Sequence, residues 1–210
     1  MAGVHDLALF VVAGLLLNVS PGPDTLYIAG RGATQGFRAG AIAALGIFGG
    51  CFVHIAAAAI GLSALILASA EAFLLVKLAG AAYLFYVGCT MLLSRTAGDD
   101  ASKRRLEPAR LSTVFWQGFL TNALNPKVAL FFLAFVPQFI TADAPHKALA
   151  FAALGVLFNV NSVFWNLFVA WSAHRVAGGV RRARVALWVN RSIGALFVAM
   201  GVRLALFEKG

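Results

Sequence analysis

Ser20-Pro21-Gly22-Pro23-Asp24 interrupts an apolar run that extends from about Leu7 to Gly30. At ~1.5 Å of rise per residue such a run is long enough to cross a bilayer. Two prolines and a glycine cannot all be ordinary helix interior. Each proline lacks a backbone donor and clashes with the preceding turn, so the helix must break or kink there. A carboxylate, Asp24, follows at once, at a depth where an isolated charge is costly. Broken backbone and charge are tolerated inside a membrane only where they line a cavity or are covered by protein. A plain proline kink with Asp24 reaching the interface is the simpler alternative.

The composition sets the frame around that break. Of 210 residues, 61% are hydrophobic and only 12% charged, and the mean hydropathy is +0.86. A soluble domain is closer to half apolar and a quarter charged, so the chain reads as a polytopic membrane protein. The net charge of +9 does not point to nucleic acid, because the basic residues gather in loops between apolar runs. Cys51 and Cys89 each lie inside an apolar run and form no CxxC pair, which fits small hydrophobes better than redox or metal groups. No metal ligand set and no cofactor motif is found. The N-terminal residues His5 and Asp6 are unlike the basic start of a signal peptide.

Six apolar runs, roughly 7–30, 39–68, 72–94, 113–139, 147–172 and 186–207, are each long enough to span. Arginine and lysine concentrate in the odd-numbered loops: Arg31 and Arg38, then Arg95 to Arg110, then Arg175 to Arg184. Those loops are expected to be cytoplasmic and both termini periplasmic. The expected fold is all-α, a single membrane domain with six transmembrane helices in two inverted three-helix repeats. Residues 1–94 and 113–210 form the repeats, and 95–112 form a cytoplasmic linker.

The repeat rests on echoes between the halves. In the fourth run Gly118, Thr121, Asn122 and Asn125 share one helix face, Pro126 breaks the helix, and Lys127 follows. In the first run Gly14, Asn18 and Pro21 share a face before Pro23 and Asp24. Each half thus has a polar-lined helix, a proline break and then a charge, of opposite sign in the two halves. Lys77-x-x-Gly80-Ala81 opens the third run as Arg191-x-x-Gly194-Ala195 opens the sixth. Interrupted helices at corresponding places of inverted repeats are the best sequence pointer to a transporter's binding site. The fifth run adds a stripe of Gly155, Asn159, Ser162 and Asn166, which suits either a cavity wall or interhelical glue. The glycines of the second run, Gly40, Gly46, Gly49 and Gly50, suit close helix contacts within one chain or in a homodimer. Tyr83 and Tyr86 bring hydroxyls to the third run, for substrate or for anchoring.

The chain resembles the lysine exporter family of bacterial amino-acid exporters, also called LysE/RhtB. Pro21-Gly22-Pro23, Asn125-Pro126-Lys127, the Lys77-x-x-Gly80-Ala81-x-Tyr83-Leu84 opening and the Gly194…Gly201 spacing carry the resemblance, which runs the full length. It implies a bacterial inner-membrane exporter of amino acids or related metabolites, driven by the proton gradient, with Gly22, Pro23, Asn125 and Pro126 at the broken helices. The residue chemistry agrees. A half-helix N-terminus and Lys127 suit a carboxylate; freed carbonyls, asparagine oxygens and Asp24 suit an α-amino group. Asn18, Asn122 and Asn159 complete the candidate transport residues. The partners implied are a small amino-acid-like substrate, protons and the lipid bilayer, with no nucleic acid.

Two pairings follow from the same residues. Asp24 and Lys127 are expected to meet near the midplane, where each offsets the cost of burying the other, as a working pair or a static clamp. Asp24 is the only carboxylate deep in a run and so the first candidate for proton coupling, with His54 the second. A membrane-embedded enzyme lacks a nucleophile–base spacing here. A passive channel is the other alternative, separable from a carrier by counterflow.

Overall fold

Proline sets where the helices start and stop. The computed structural model describes residues 3–20, 22–62, 107–141 and 143–175, with single helical positions at 75, 78, 82, 85, 86, 89, 92, 93, 191, 195, 198, 199 and 202. Helix α1 (Leu7–Val19) is followed by Ser20 in an extended conformation, φ −61° and ψ 122°, as the residue before a proline prefers. Helix α2 (Pro23–Gln35) starts with Pro23 in its first turn, where a missing N–H leaves no bond unmade. The two axes bend by 53°, the geometry of a broken span or a re-entrant loop.

Helix α3 (Phe37–Ala57) runs on through a π-helical turn, Ala58–Leu62, as a long apolar helix. Helix α4 (Leu111–Ala123) and the short α5 (Pro126–Leu130) repeat the break, with a 43° bend. A π turn, Phe131–Phe135, and a 3-10 turn, Val136–Phe139, finish that span. Helix α6 (Lys147–Arg175) is 29 residues long and unbroken. The described elements are all helical, apart from one isolated bridge between Val4 and Ile140. The chain is therefore a multi-pass helical membrane protein. Among the described residues two helices, Phe37–Gly61 and Lys147–Arg175, are long and apolar enough to cross a membrane, and the two bent pairs bring the number to four if each pair is one span. The third run (72–94), the sixth (186–207), most of the 95–112 linker, and with them Lys77, Gly80, Ala81, Tyr83, Gly194 and Gly201, lie outside the described residues or at isolated positions.

Glycine decides how closely the helices approach. A Cβ on Gly46 or Gly50 of α3 would run into the main-chain carbonyls of Phe115 and Phe119 in α4. One on Gly118 would lie 2.7 Å from the Ala43 carbonyl on the opposite side of the same contact. One on Gly40 would lie 2.8 Å from the Ala170 Cβ of α6. These second-run glycines serve contacts inside the chain, so they give no argument for a dimer. Two apolar clusters result. One is rich in phenylalanine, with Phe10, Phe131, Phe132, Phe151 and Phe158 among its buried members. The other packs Ile28, Ala43, Ala44, Ile47, Val114 and Ala170.

Candidate functional site

The two helix breaks and the stripe of α6 face one cavity, where the two apolar clusters meet. Its wall includes Asn18, Ser20, Gly22, Asp24 and Thr25 from the first break, Asn122, Asn125 and Lys127 from the second, and Asn159, Ser162 and Asn166 from α6. Leu17, Ile47, Cys51, Val128 and Phe158 supply its apolar side. The space inside is about 30 Å3, room for roughly two waters and not for a whole amino acid.

The chemistry of the wall begins with what proline removes. In an unbroken helix the Leu17 carbonyl would accept from the N–H of residue 21, which is a proline. Lys127 takes that carbonyl instead: its Nζ donates to Leu17 O at 2.9 Å and to Ser20 O at 2.8 Å. A cation at the C-terminal end of α1 also meets the negative end of the helix dipole. The second break follows the same logic. The Asn122 carbonyl would accept from residue 126, again a proline; it accepts from the Asn125 N–H at 2.8 Å and lies 2.8 Å from His54 Nε2. A carbonyl only accepts, so Nε2 of His54 is the donor. The ring is buried and stacks on Phe132, with centroids 6.2 Å apart.

Asp24 stands in the first turn of α2, where a negative charge suits the positive helix end. Its Oδ2 accepts from Asn122 Nδ2 at 2.7 Å. Asn125 caps α5 by accepting from the Lys127 N–H at 3.0 Å, which explains asparagine directly before the proline. Asn159 Nδ2 donates to the Phe48 carbonyl at 3.0 Å and ties α6 to α3.

Asp24 and Lys127 share the cavity, but no ion pair joins them. The expected pairing is thus absent in this conformation, for a physical reason. Each charge is already held by the end of a broken helix, Lys127 by freed carbonyls of α1 and Asp24 by the start of α2. The helix end expected to receive a carboxylate already carries Asp24.

Three polar atoms on the wall are buried without a hydrogen-bond partner among the described residues: Asn18 Nδ2, Asp24 Oδ1 and Asn122 Oδ1. Lys127, an ammonium with three donors, uses two of them. The site therefore offers unengaged donors beside unengaged acceptors.

Of the residues the sequence singled out, Asn18, Gly22, Asp24, Asn122, Asn125, Lys127 and Asn159 meet at the cavity, and His54 touches it through Asn122. Pro23 and Pro126 are exposed and shape the breaks without lining the cavity. Pro21 lies outside the described residues. Thr121 bonds back to the Gln117 carbonyl of its own helix, at 2.7 Å. Ser20 and Thr25 at the first break, and Cys51 within α3, line the cavity as well without having been named as transport residues, since single short side chains carry no periodic signal.

The model of the LysE type translocator family matches residues 15–207. An uncharacterized membrane protein of Pseudomonas aeruginosa is 32% identical over 207 residues, covering 97% of this chain and 96% of its own. A leucine efflux protein of Klebsiella pneumoniae is 31% identical over 208 residues, covering 98% and 97%. A leucine efflux protein of Salmonella typhimurium is 29% identical over 211 residues, with the same shares. No solved structure matches the chain.

Proposed function

This chain belongs to the LysE family of translocators, and on that premise we propose that it exports neutral aliphatic amino acids through the cavity between its two helix breaks. It is a membrane exporter of amino acids and not an enzyme. The observation that carries the choice of cargo is the pairing of unengaged donors and acceptors on a wall with an apolar side. The cargo carboxylate takes the third Lys127 donor and Asn18 Nδ2, and its ammonium takes Asp24 Oδ1 and Asn122 Oδ1. Leu17, Ile47, Val128 and Phe158 then receive an aliphatic side chain. No second charge on that wall would balance a lysine-like cargo. The leucine efflux proteins among the relatives support the same class.

The finer architecture belongs to this reading. Six spans form two inverted repeats, 1–94 and 113–210, around a cytoplasmic linker, in a bacterial inner membrane with periplasmic termini. The bend at corresponding places of the two halves, each followed by a long unbroken helix, supports it. Export is coupled to protons, with Asp24 as the group that gains and loses one. Asn122 ties Asp24 to His54: its amide donates to the carboxylate and its carbonyl accepts from the imidazole.

The test is counterflow and efflux of labelled leucine, threonine, lysine and leucinamide from proteoliposomes, with and without a pH gradient. Leucine is expected to exchange, and lysine and leucinamide to fail. Lysine moving as well as leucine would overturn the assignment of cargo, and leakage without counterflow would make the protein a channel.

A further inference from the structure

Arg31 is 4% exposed on α2, and the cavity described above makes no use of it. Its guanidinium donates from Nε to the Tyr27 hydroxyl at 3.3 Å, and from Nη1 to Gln35 Oε1 at 2.7 Å and the Glu107 carbonyl at 2.8 Å. Nη2 donates to Gln117 Oε1 at 2.7 Å. The Tyr27 hydroxyl lies 2.9 Å from the Val114 carbonyl, and Gln35 Nε2 donates to the Ala109 carbonyl at 2.9 Å. Tyr27, Arg31 and Gln35 follow one another at i, i+4 and i+8, so one face of α2 holds the end of the linker and α4 together. Every acceptor of the guanidinium is neutral, and among the described residues no carboxylate pairs with it. A buried guanidinium is ordinarily matched to a carboxylate, which it binds with two parallel bonds.

The other end of the same two spans is closed differently. The His5 N–H donates to the Phe139 carbonyl at 3.0 Å, the Thr141 N–H donates to the Gly3 carbonyl at 2.9 Å, and Val4 bridges Ile140. Those are main-chain bonds with no charge among them. The first and fourth spans are thus fastened at both ends around a cavity too small for cargo, and at the linker end the fastening runs through a buried cation.

We propose that Arg31 is a carboxylate-reading latch and the first docking site of the amino acid on the linker side. The inference rests on the exporter reading above. An incoming carboxylate replaces Gln117 and the Glu107 carbonyl on the guanidinium. A carboxylate meets the guanidinium with a full opposite charge and two parallel bonds, neither of which a carbonyl or an amide offers, so the exchange favours a carboxylate and not its amide. Breaking those two bonds loosens the linker end and α4 from α2, leaving Gln35 on the Ala109 carbonyl and Tyr27 on the Val114 carbonyl as the remaining ties. The ligand then binds the open form better than the closed one, which is the condition for shifting the equilibrium. Gln117 is exposed, so the latch can be reached from outside the protein. Two turns of α2 separate Arg31 from Asp24, which places the latch on the route to the cavity.

Deuterium uptake by the peptide covering residues 107–117, in the full chain in nanodiscs, tests the latch. Leucine is expected to raise uptake several-fold, and leucinamide to leave it unchanged. Arg31→Gln is expected to show high uptake without ligand and no response to leucine. Gln117→Leu keeps the guanidinium, so it is expected to show raised uptake and a retained leucine response, which guards against simple misfolding of Arg31→Gln. Equal effects of leucine and leucinamide on the wild type, or a leucine response surviving in Arg31→Gln, would overturn the latch. Efflux measured in the same preparation separates the two readings. Efflux of leucine with no change in the peptide sinks the latch alone, whereas no efflux of any amino acid sinks the exporter reading.

Discussion

Lys127 is structural in the fold and, on the proposed reading, functional as well. It satisfies a carbonyl that proline leaves bare, and its third donor is the one proposed to take the cargo. Lys127→Met is expected to lower stability by about 1–3 kcal/mol through the unpaired Leu17 carbonyl, seen as a lower thermal midpoint in detergent, and to abolish leucine counterflow. Asp24→Asn keeps the shape and the bond to Asn122, so it should retain exchange and lose accumulation driven by a pH gradient. His54→Gln can still donate to the Asn122 carbonyl and should keep both. Uphill transport by Asp24→Asn alongside its loss in His54→Gln would move the proton to the histidine. At this scale the sequence was informative wherever chemistry is local. Asn125-Pro126-Lys127 reads as the end of a polar face, a break and a charge; the break and the charge are seen, and the structure adds that Asn125 caps α5. What it left open was which oxygen each charge would find, because Leu17 and Lys127 meet across 110 positions of chain.

Helices make the site by approaching until only glycine fits. Gly46→Ala would press a methyl into the Phe115 carbonyl, and main chain cannot yield as a side chain can. A cost of about 1–3 kcal/mol or more is expected, read as a fall in thermal midpoint and poor recovery from the membrane. Gly49→Ala is the control. Its Cβ would lie 3.4 Å from the Phe119 ring, an ordinary contact, and the variant should behave as wild type. The glycines were legible as places of close approach but not as partners of particular carbonyls. The stripe of α6 was legible as a face, and its position against the two breaks was not, because helical periodicity fixes direction around an axis and says nothing of what lies opposite.

The whole molecule follows from the charge of its loops and the symmetry of its breaks. Reporter fusions in 95–110 and 175–184 are expected to read cytoplasmic, and fusions at either terminus periplasmic. A cytoplasmic C-terminus would remove the inverted repeat. The cavity has a consequence of another kind. With about 30 Å3 inside, loading an amino acid there, as proposed, requires the helices around the cavity to part, and parting them sideways would widen the protein in the plane of the membrane. That expansion works against the lateral pressure of the lipids. The bilayer then acts as a spring on the cycle, stiffest toward the bulkiest cargo: leucine should cross faster in loosely packed lipid than in tightly packed lipid, and alanine should notice the difference least.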